Sequence, residues 1–139
     1  MAIRFAERED LNQVNILRKE VNDIHVVGKP TIFKKGFSKE LQDYVYEVFE
    51  DPLKKIIVYE IDNSICSFAI LNDITKQENP YMYERDYLDI DELCVDEEFR
   101  RKGIATEIMY FTKEYAKKEV IKRIVLNMWE FNESALDFY

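Results

Sequence analysis

The stretch Leu88-Asp89-Ile90-Asp91-Glu92-Leu93-Cys94-Val95 decides how this chain folds. Its apolar residues change phase: Leu88 and Ile90 fall on even positions, Leu93 and Val95 on odd ones. Side chains of a regular strand alternate between faces, so the two pairs cannot share one core face. One extra residue near Asp91-Glu92, a β-bulge, brings all four to the same side. A bulge also leaves backbone groups unpaired and splays the strand from its neighbour, which opens a slot for a ligand. The competing reading is a strand buried on both faces, where phase carries no information.

Directly downstream, Phe99-Arg100-Arg101-Lys102-Gly103-Ile104-Ala105-Thr106 leads into a helix expected from Gly103 to about Val120, with Ile104, Ile108, Phe111, Tyr115 and Ala116 as its apolar stripe. A strand, a basic turn and a helix in that order place free N–H groups and the positive end of the helix dipole at one point. Gly103 lets the main chain come close to a ligand, small Ala105 does not block it, and Arg100, Arg101 and Lys102 add charge. The turn therefore suits a phosphate or pyrophosphate, although a solvated basic helix start would read the same way. It is neither a P-loop nor a dinucleotide glycine fingerprint.

Working outward, Ile3 and Phe5 alternate in a short first strand. Asp10 is placed to cap a helix with Leu11, Val14, Leu17, Val21 and Ile24 on one face; His25 to Phe37, holding Gly28, Pro30 and Gly36, reads as a loop. Ser38 caps a second helix with Leu41, Val45, Val48 and Phe49 on one face, ending near Asp51-Pro52. Strands Ile56–Ile61 and Ile65–Leu71 form a hairpin through Asp62-Asn63-Ser64, and a polar connection with Pro80 leads to a third strand over Tyr87–Val95. After the long helix come a strand of Ile124, Val125, Leu126 and Met128 and a short helix capped by Asn132, through Ala135, Leu136 and Tyr139. The order β-α-α-β-β-β-α-β-α predicts an α/β (α+β) domain: one mixed, mostly antiparallel sheet flanked by helices.

At 139 residues one domain, 1–139, is expected, with residues 87–139 as its ligand-binding half. No apolar run approaches a membrane span and the first residues lack a signal-peptide core, so a cytoplasmic protein is expected. Cys66 and Cys94 sit among apolar neighbours without metal spacing and read as buried free thiols rather than a disulfide or redox pair. The net charge of −8 argues against nucleic acid as partner. It is unevenly spread: residues 1–96 hold 12 Lys/Arg against 20 Asp/Glu, but residues 97–123 hold 8 against 5. A basic segment inside an acidic body suits one anionic small molecule beside a surface that attracts cations.

The run IDELCVDEEFRRKGIATEIM resembles motif A of the GNAT superfamily, the acetyl-CoA-dependent N-acetyltransferases, whose R/Q-x-x-G-x-G/A signature stands here as Arg100-x-x-Gly103-x-Ala105. Downstream, LNMWEFNESALDFY is similar to the family's later strand and helix, with its N-x-x-A-x-x-x-Y pattern at Asn132, Ala135 and Tyr139. The resemblance implies acetyl-CoA as co-substrate. Leu93, Cys94 and Val95 would line its pantetheine arm; Arg101, Lys102, Gly103, Ile104, Ala105 and Thr106 would hold its phosphates by backbone amides, with Arg100 framing the turn. Asn132 would contact the cofactor arm or only cap its helix. Tyr139 matches the tyrosine that often protonates the departing thiolate, or is an aromatic packing residue.

The chemistry implied is attack of an amine on a thioester. A protonated amine is no nucleophile, so a carboxylate must take its proton, directly or through water. A backbone N–H freed near the bulge can stabilise the oxyanion. Asp91 and Glu92 are the catalytic candidates, with Asp89 beside them; some relatives place a base on the later strand, where this chain has Asn127, which cannot titrate. Residues 84–98 carry eight acids and one base, which points to a cationic amine or basic peptide as acceptor. His25 reads as a loop or substrate-lip residue, and Trp129 as packing on the late strand. Relatives continue past the position of Tyr139 with one or two closing strands, so a shortened chain, or a sheet edge completed by another copy in a homodimer, is expected. A non-catalytic acyl-CoA-binding module is the alternative function.

Overall fold

Hairpins set the framework of the fold. In this computed structural model, which describes residues 2–28, 30–31 and 36–126, the turn at Asp62-Asn63 has both residues at positive φ (50° and 64°). That backbone twist matches the strands of a two-residue hairpin, and Asp and Asn tolerate it. It joins β2 (Lys54–Ile61) to β3 (Ser64–Lys76), and a longer connection joins β3 to β4 (Arg85–Val95). With β1 (Ala2–Phe5) and β5 (Ile124–Leu126), the described residues form one five-stranded sheet in the order β1-β2-β3-β4-β5. Every pairing is antiparallel except β4–β5, which is parallel. A parallel pair needs a crossover, and α3 (Ile104–Lys118) supplies it.

Two helices, α1 (Leu11–Gly28) and α2 (Lys39–Glu50), cover one face of the sheet. Their buried Leu11, Val14, Leu17, Val45 and Val48 pack on Ile56, Val58, Phe68, Ile70 and Cys94. On the other face Ile104, Ile108 and Ala116 of α3 pack on Ile57, Tyr59, Ala69, Leu71, Leu88 and Ile90. Central strands are thus buried on both sides, as their continuous apolar runs require. Cys66 and Cys94 are buried free thiols in these two separate clusters, so the sheet itself keeps them apart.

Several expected boundaries move. The first helix continues through His25 to Gly28; its stop is the glycine two residues before Pro30, not the histidine. Asp10 lies in a 3-10 turn, Arg8–Asp10, instead of capping α1. Its carboxylate accepts the Glu7 N–H at 2.7 Å and two guanidinium bonds from Arg4 at 2.7 and 3.2 Å, which hold it below its ordinary pKa. Ser38 does cap α2, its hydroxyl accepting the Leu41 N–H at 3.3 Å, but Leu41 itself is exposed on the first turn. β3 runs five residues past Leu71 and β4 begins at Arg85, because the polar half of this hairpin is held by backbone pairing without an apolar face. The third helix stops at Lys118, and Val120 follows at a φ of 59°. Asn127, Met128, Trp129, Asn132, Ala135, Leu136 and Tyr139, with the last helix expected there, lie outside the described residues.

Candidate functional site

The phase error in β4 is a bulge, and its extra residue is Asp91. Ile70 pairs with Glu92 and Leu71 with Ile90, which leaves Asp91 with no partner on β3. Leu88, Ile90, Leu93 and Val95 consequently all join the cluster under α3. The cost of that correction falls on the opposite face, where two adjacent carboxylates, Asp91 and Glu92, both turn toward α1 and α2. Described pairing of β4 with β5 ends at Ile90–Leu126, one residue before the bulge.

Each carboxylate has its own partner. The Tyr44 hydroxyl of α2 donates to Asp91 Oδ2 at 2.7 Å. Burial, and then the Asp91 carboxylate, push the Tyr44 phenol above its ordinary pKa, so it stays protonated and donating. Arg18 of α1 grips Glu92 in a fork, Nε to Oε1 at 3.0 Å and Nη2 to Oε2 at 3.4 Å. The guanidinium is buried, and its remaining Nη1 donates to Asn15 Oδ1 at 3.0 Å and to the Leu41 carbonyl. It also lies 5.3 Å from the Tyr44 ring centre and 5.5 Å from that of Phe37. Burial raises the Glu92 carboxyl and Arg18 pulls it back, leaving a net rise. Asp89 is also raised, by burial and by the negative charge of Asp91.

These groups line an open cavity of about 700 Å³ between α1, α2 and the bulge. Glu40, Asp43 and Glu47 of α2 face the same space, and Lys39, its other cation besides Arg18, is tied to Asp43 at 2.9 Å. Among the described residues, the cavity therefore has a negative mouth whose positive groups are already engaged. Arg18 and Tyr44 carried no signal in the sequence. Arg18 sits inside the apolar run of α1, and Tyr44 looks like one more aromatic on α2; only the tertiary fold brings them to the bulge.

Past the strand, Asp96 caps a short turn by accepting the Glu98 N–H at 3.0 Å. Arg100 is drawn back onto the strand, its Nε donating to the Val95 carbonyl at 3.1 Å, so it frames the turn rather than reaching from it. Arg101 and Gly103 both take positive φ, 63° and 78°, and Gly103 is the N-cap of α3. Alternating backbone hands of this kind point successive N–H groups into one concavity, which can take an anion. With glycine at the cap no side chain occupies the first-turn donors of Ile104, Ala105 and Thr106. A Cβ added at Gly103 would meet no atom within 4 Å, so the demand for glycine there is conformational. Ile104 and Ala105 are buried toward the core, and what they present to the turn is main chain. Lys102 reaches over the Phe99 ring at 5.4 Å.

Leu93 and Val95 are half-buried under α3, whereas the Cys94 side chain is buried toward α1, where Sγ donates to the Leu17 carbonyl at 3.8 Å. Val95 lies four positions along the strand from Asp91, roughly 13 Å. The structure thus places an acidic cavity and a basic, glycine-capped turn at the two ends of one short strand segment.

The sequence model of the Acetyltransferase (GNAT) family matches residues 18–139. The chain belongs to the GNAT acetyltransferase family. Acyl transfer from acetyl-CoA is the general chemistry of that family, and the five-stranded mixed sheet with flanking helices is its fold. Among solved structures, the chain is similar to the tetramutant of the BH1408 protein from Bacillus halodurans, with 26% identity, a TM-score of 0.93, and coverage of 100% of this chain and 90% of that one. It is also similar to an acetyltransferase from Vibrio fischeri, with 25% identity, a TM-score of 0.75, and coverage of 93% and 97%. The fold alone is shared with AAC(6')-Iy in complex with a CoA-linked bisubstrate analogue, at 13% identity and a TM-score of 0.75, covering 99% of this chain and 85% of that one. No curated protein sequence matches the chain. Among the described residues, no helix is long and apolar enough to cross a membrane and no cluster of His, Cys, Asp and Glu could hold a metal ion.

Proposed function

We propose that this GNAT domain moves an acetyl group from acetyl-CoA to a primary amine by direct attack, with no covalent enzyme intermediate. The observation that carries the reading is the bulge: it presents two carboxylates beside an open cavity, one strand segment away from the anion-binding turn. The backbone of Leu93, Cys94 and Val95 would run alongside the pantetheine arm. The main-chain N–H groups of Arg101, Lys102, Gly103, Ile104, Ala105 and Thr106 would hold the pyrophosphate, with Arg100 fixing the turn; Asn132, by the family resemblance, would contact the arm or only cap its helix.

In the reaction a bulge carboxylate, Asp91 or Glu92, removes a proton from the bound ammonium. The freed nitrogen forms its bond to the thioester carbon, and main-chain N–H groups beside the bulge stabilise the oxyanion. The carbon–sulfur bond then breaks and the thiolate takes a proton, which the family resemblance assigns to Tyr139, while the amide nitrogen gives up its second proton and so restores the phenol. Neither cysteine is needed. Both are buried, and burial pushes the Cys94 thiol up to about 12.

The acceptor we infer is a cationic amine, because Glu40, Asp43, Glu47, Asp91 and Glu92 ring a cavity whose cations, among the described residues, are already paired. The test is release of free CoA from acetyl-CoA against diamines, aminoglycosides, basic peptides and neutral amines, each at low and high salt. Release with cationic acceptors and a KM that rises with salt is the expected result. Stabilisation by CoA without thiol release for any amine would reduce the protein to a binding module. Turnover indifferent to salt and acceptor charge would overturn the acceptor class alone.

A further inference from the structure

The two carboxylates on neighbouring residues of the bulge are held by side chains that differ in kind. Glu92 has both oxygens engaged by a single guanidinium. Arg18 is buried, cannot lose its proton, and spends its other donors on Asn15 and Leu41. A proton delivered to Glu92 would strand that cation in the interior, which is the costly way to break a buried pair. Asp91 is held differently. It accepts one bond, from a neutral phenol, and protonating it strands no charge.

We propose that Arg18 is a positioning residue that divides the work of the bulge, holding Glu92 as its ion-paired partner and leaving Asp91 to accept the proton of the incoming amine. The inference rests on the acetyl-transfer reading and deepens it. The ion pair spans 74 positions and ties α1 to the bulge directly, so the register of β4 and the orientation of Asp91 depend on it. Arg18 also stacks near Tyr44, whose hydroxyl aims Asp91, so one side chain braces both carboxylates.

Other charges face the pair and enter its titration. Lys54 of β2 lies 5.6 Å from the Tyr44 ring centre, and Asp89 of β4 adds a like charge next to Asp91. From α2, Glu40 and Glu47 line the cavity, while Lys39 and Asp43 neutralise each other. Apart from Arg18, none of these contacts Glu92 within hydrogen-bonding distance among the described residues.

The test compares wild type, Arg18→Met and Arg18→Met/Glu92→Met by carboxyl carbon NMR titration of residues 91 and 92, and by the pH dependence of kcat/KM. In the wild type, the acid limb of the rate should be a single step that the Glu92 signal does not follow. In Arg18→Met, Glu92 should begin to titrate at least about one pH unit higher than before, and the acid limb should broaden into two coupled steps. The double variant removes both partners together and leaves no stranded charge. It should fold and regain a single-step limb, at a kcat below wild type because Asp91 loses its brace. A rate that follows Glu92, an unmoved Glu92 midpoint in Arg18→Met, or a two-step limb or wild-type kcat in the double variant would overturn the proposal. The NMR titrations need no turnover. Absence of activity in the wild type would therefore count against the acetyl-transfer reading, while the Glu92 midpoint would still decide whether Arg18 separates the two carboxylates.

Discussion

Replacing Gly103 by alanine isolates the backbone requirement of the anion-binding turn. The residue sits at φ 78° as the N-cap of α3, and a Cβ there would meet nothing within 4 Å. No clash contributes, so the cost is that of holding a residue with a side chain in the left-handed region, about 1–2 kcal/mol. Alanine is also a poorer N-cap than glycine, by roughly 0.5 kcal/mol. Against this, alanine narrows the unfolded ensemble and returns about 0.4–1 kcal/mol. The net expectation is a loss of about 1 kcal/mol, which for a domain of this size lowers the melting temperature by roughly 3–5 °C. Thermal and urea unfolding of the free protein measure it, and Gly103→Asn should lose less, because asparagine tolerates that conformation. CoA affinity supplies the second readout: a turn pulled away from its left-handed geometry misdirects the N–H groups of residues 101–106. Unchanged stability in Gly103→Ala would refute the conformational argument, and a loss above about 3 kcal/mol would mean a packed glycine, contrary to the open space around it.

The opposite substitution should stabilise. Val120 ends α3 at φ 59° and is exposed, so Val120→Gly, which suits the position after a helix, should add about 1 kcal/mol in urea unfolding. A pH effect is expected at the far end of the β3–β4 hairpin, where burial and then the neighbouring Asp86 push the Asp73 carboxyl up to about 6, with one of its oxygens unpartnered among the described residues. Between the ordinary value near 3.8 and about 6 the folded state binds the extra proton. Stability should therefore fall as pH rises through that window. Asp73→Asn should flatten the fall and add about 1 kcal/mol at pH 7, a figure discounted for partial exposure; an unchanged pH profile would contradict it. Asp10 carries the reverse sign. Arg4 holds its carboxyl low, so Asp10→Asn should cost about 1–3 kcal/mol at neutral pH and progressively less as acid protonates the wild-type carboxyl.

What could be read from the sequence, and what could not, follows from where information about packing resides. The bulge at Asp91 is legible because Asp89, Asp91 and Glu92 interrupt the apolar positions Leu88, Ile90, Leu93 and Val95, so a phase slip shows. A second bulge, which leaves Cys66 unpaired between Ile65 and Ser67, was invisible, since Ile65–Leu71 is buried on both faces and has no phase to break. The glycine at the start of α3 was legible from the basic turn around it, while the positive φ of Arg101 was not, because nothing in an arginine announces it. The extension of β3 to Lys76 leaves no mark in the sequence for a related reason: backbone pairing holds that polar half of the hairpin. Arg18 and Tyr44 lay beyond reach altogether. Their roles arise from contacts 74 and 47 positions away, and no local pattern encodes such a meeting.

The central claim is that a carboxylate on the β4 bulge takes the proton of an amine as it attacks acetyl-CoA. Its most direct test is single-turnover acetyl transfer by Asp91→Asn, measured beside the affinity of the same variant for CoA. The account predicts a rate lower by roughly 10²–10⁴-fold, with CoA affinity unchanged because the turn at residues 101–106 is untouched. Transfer at the wild-type rate would contradict it, and so would a rate loss accounted for entirely by weaker CoA binding.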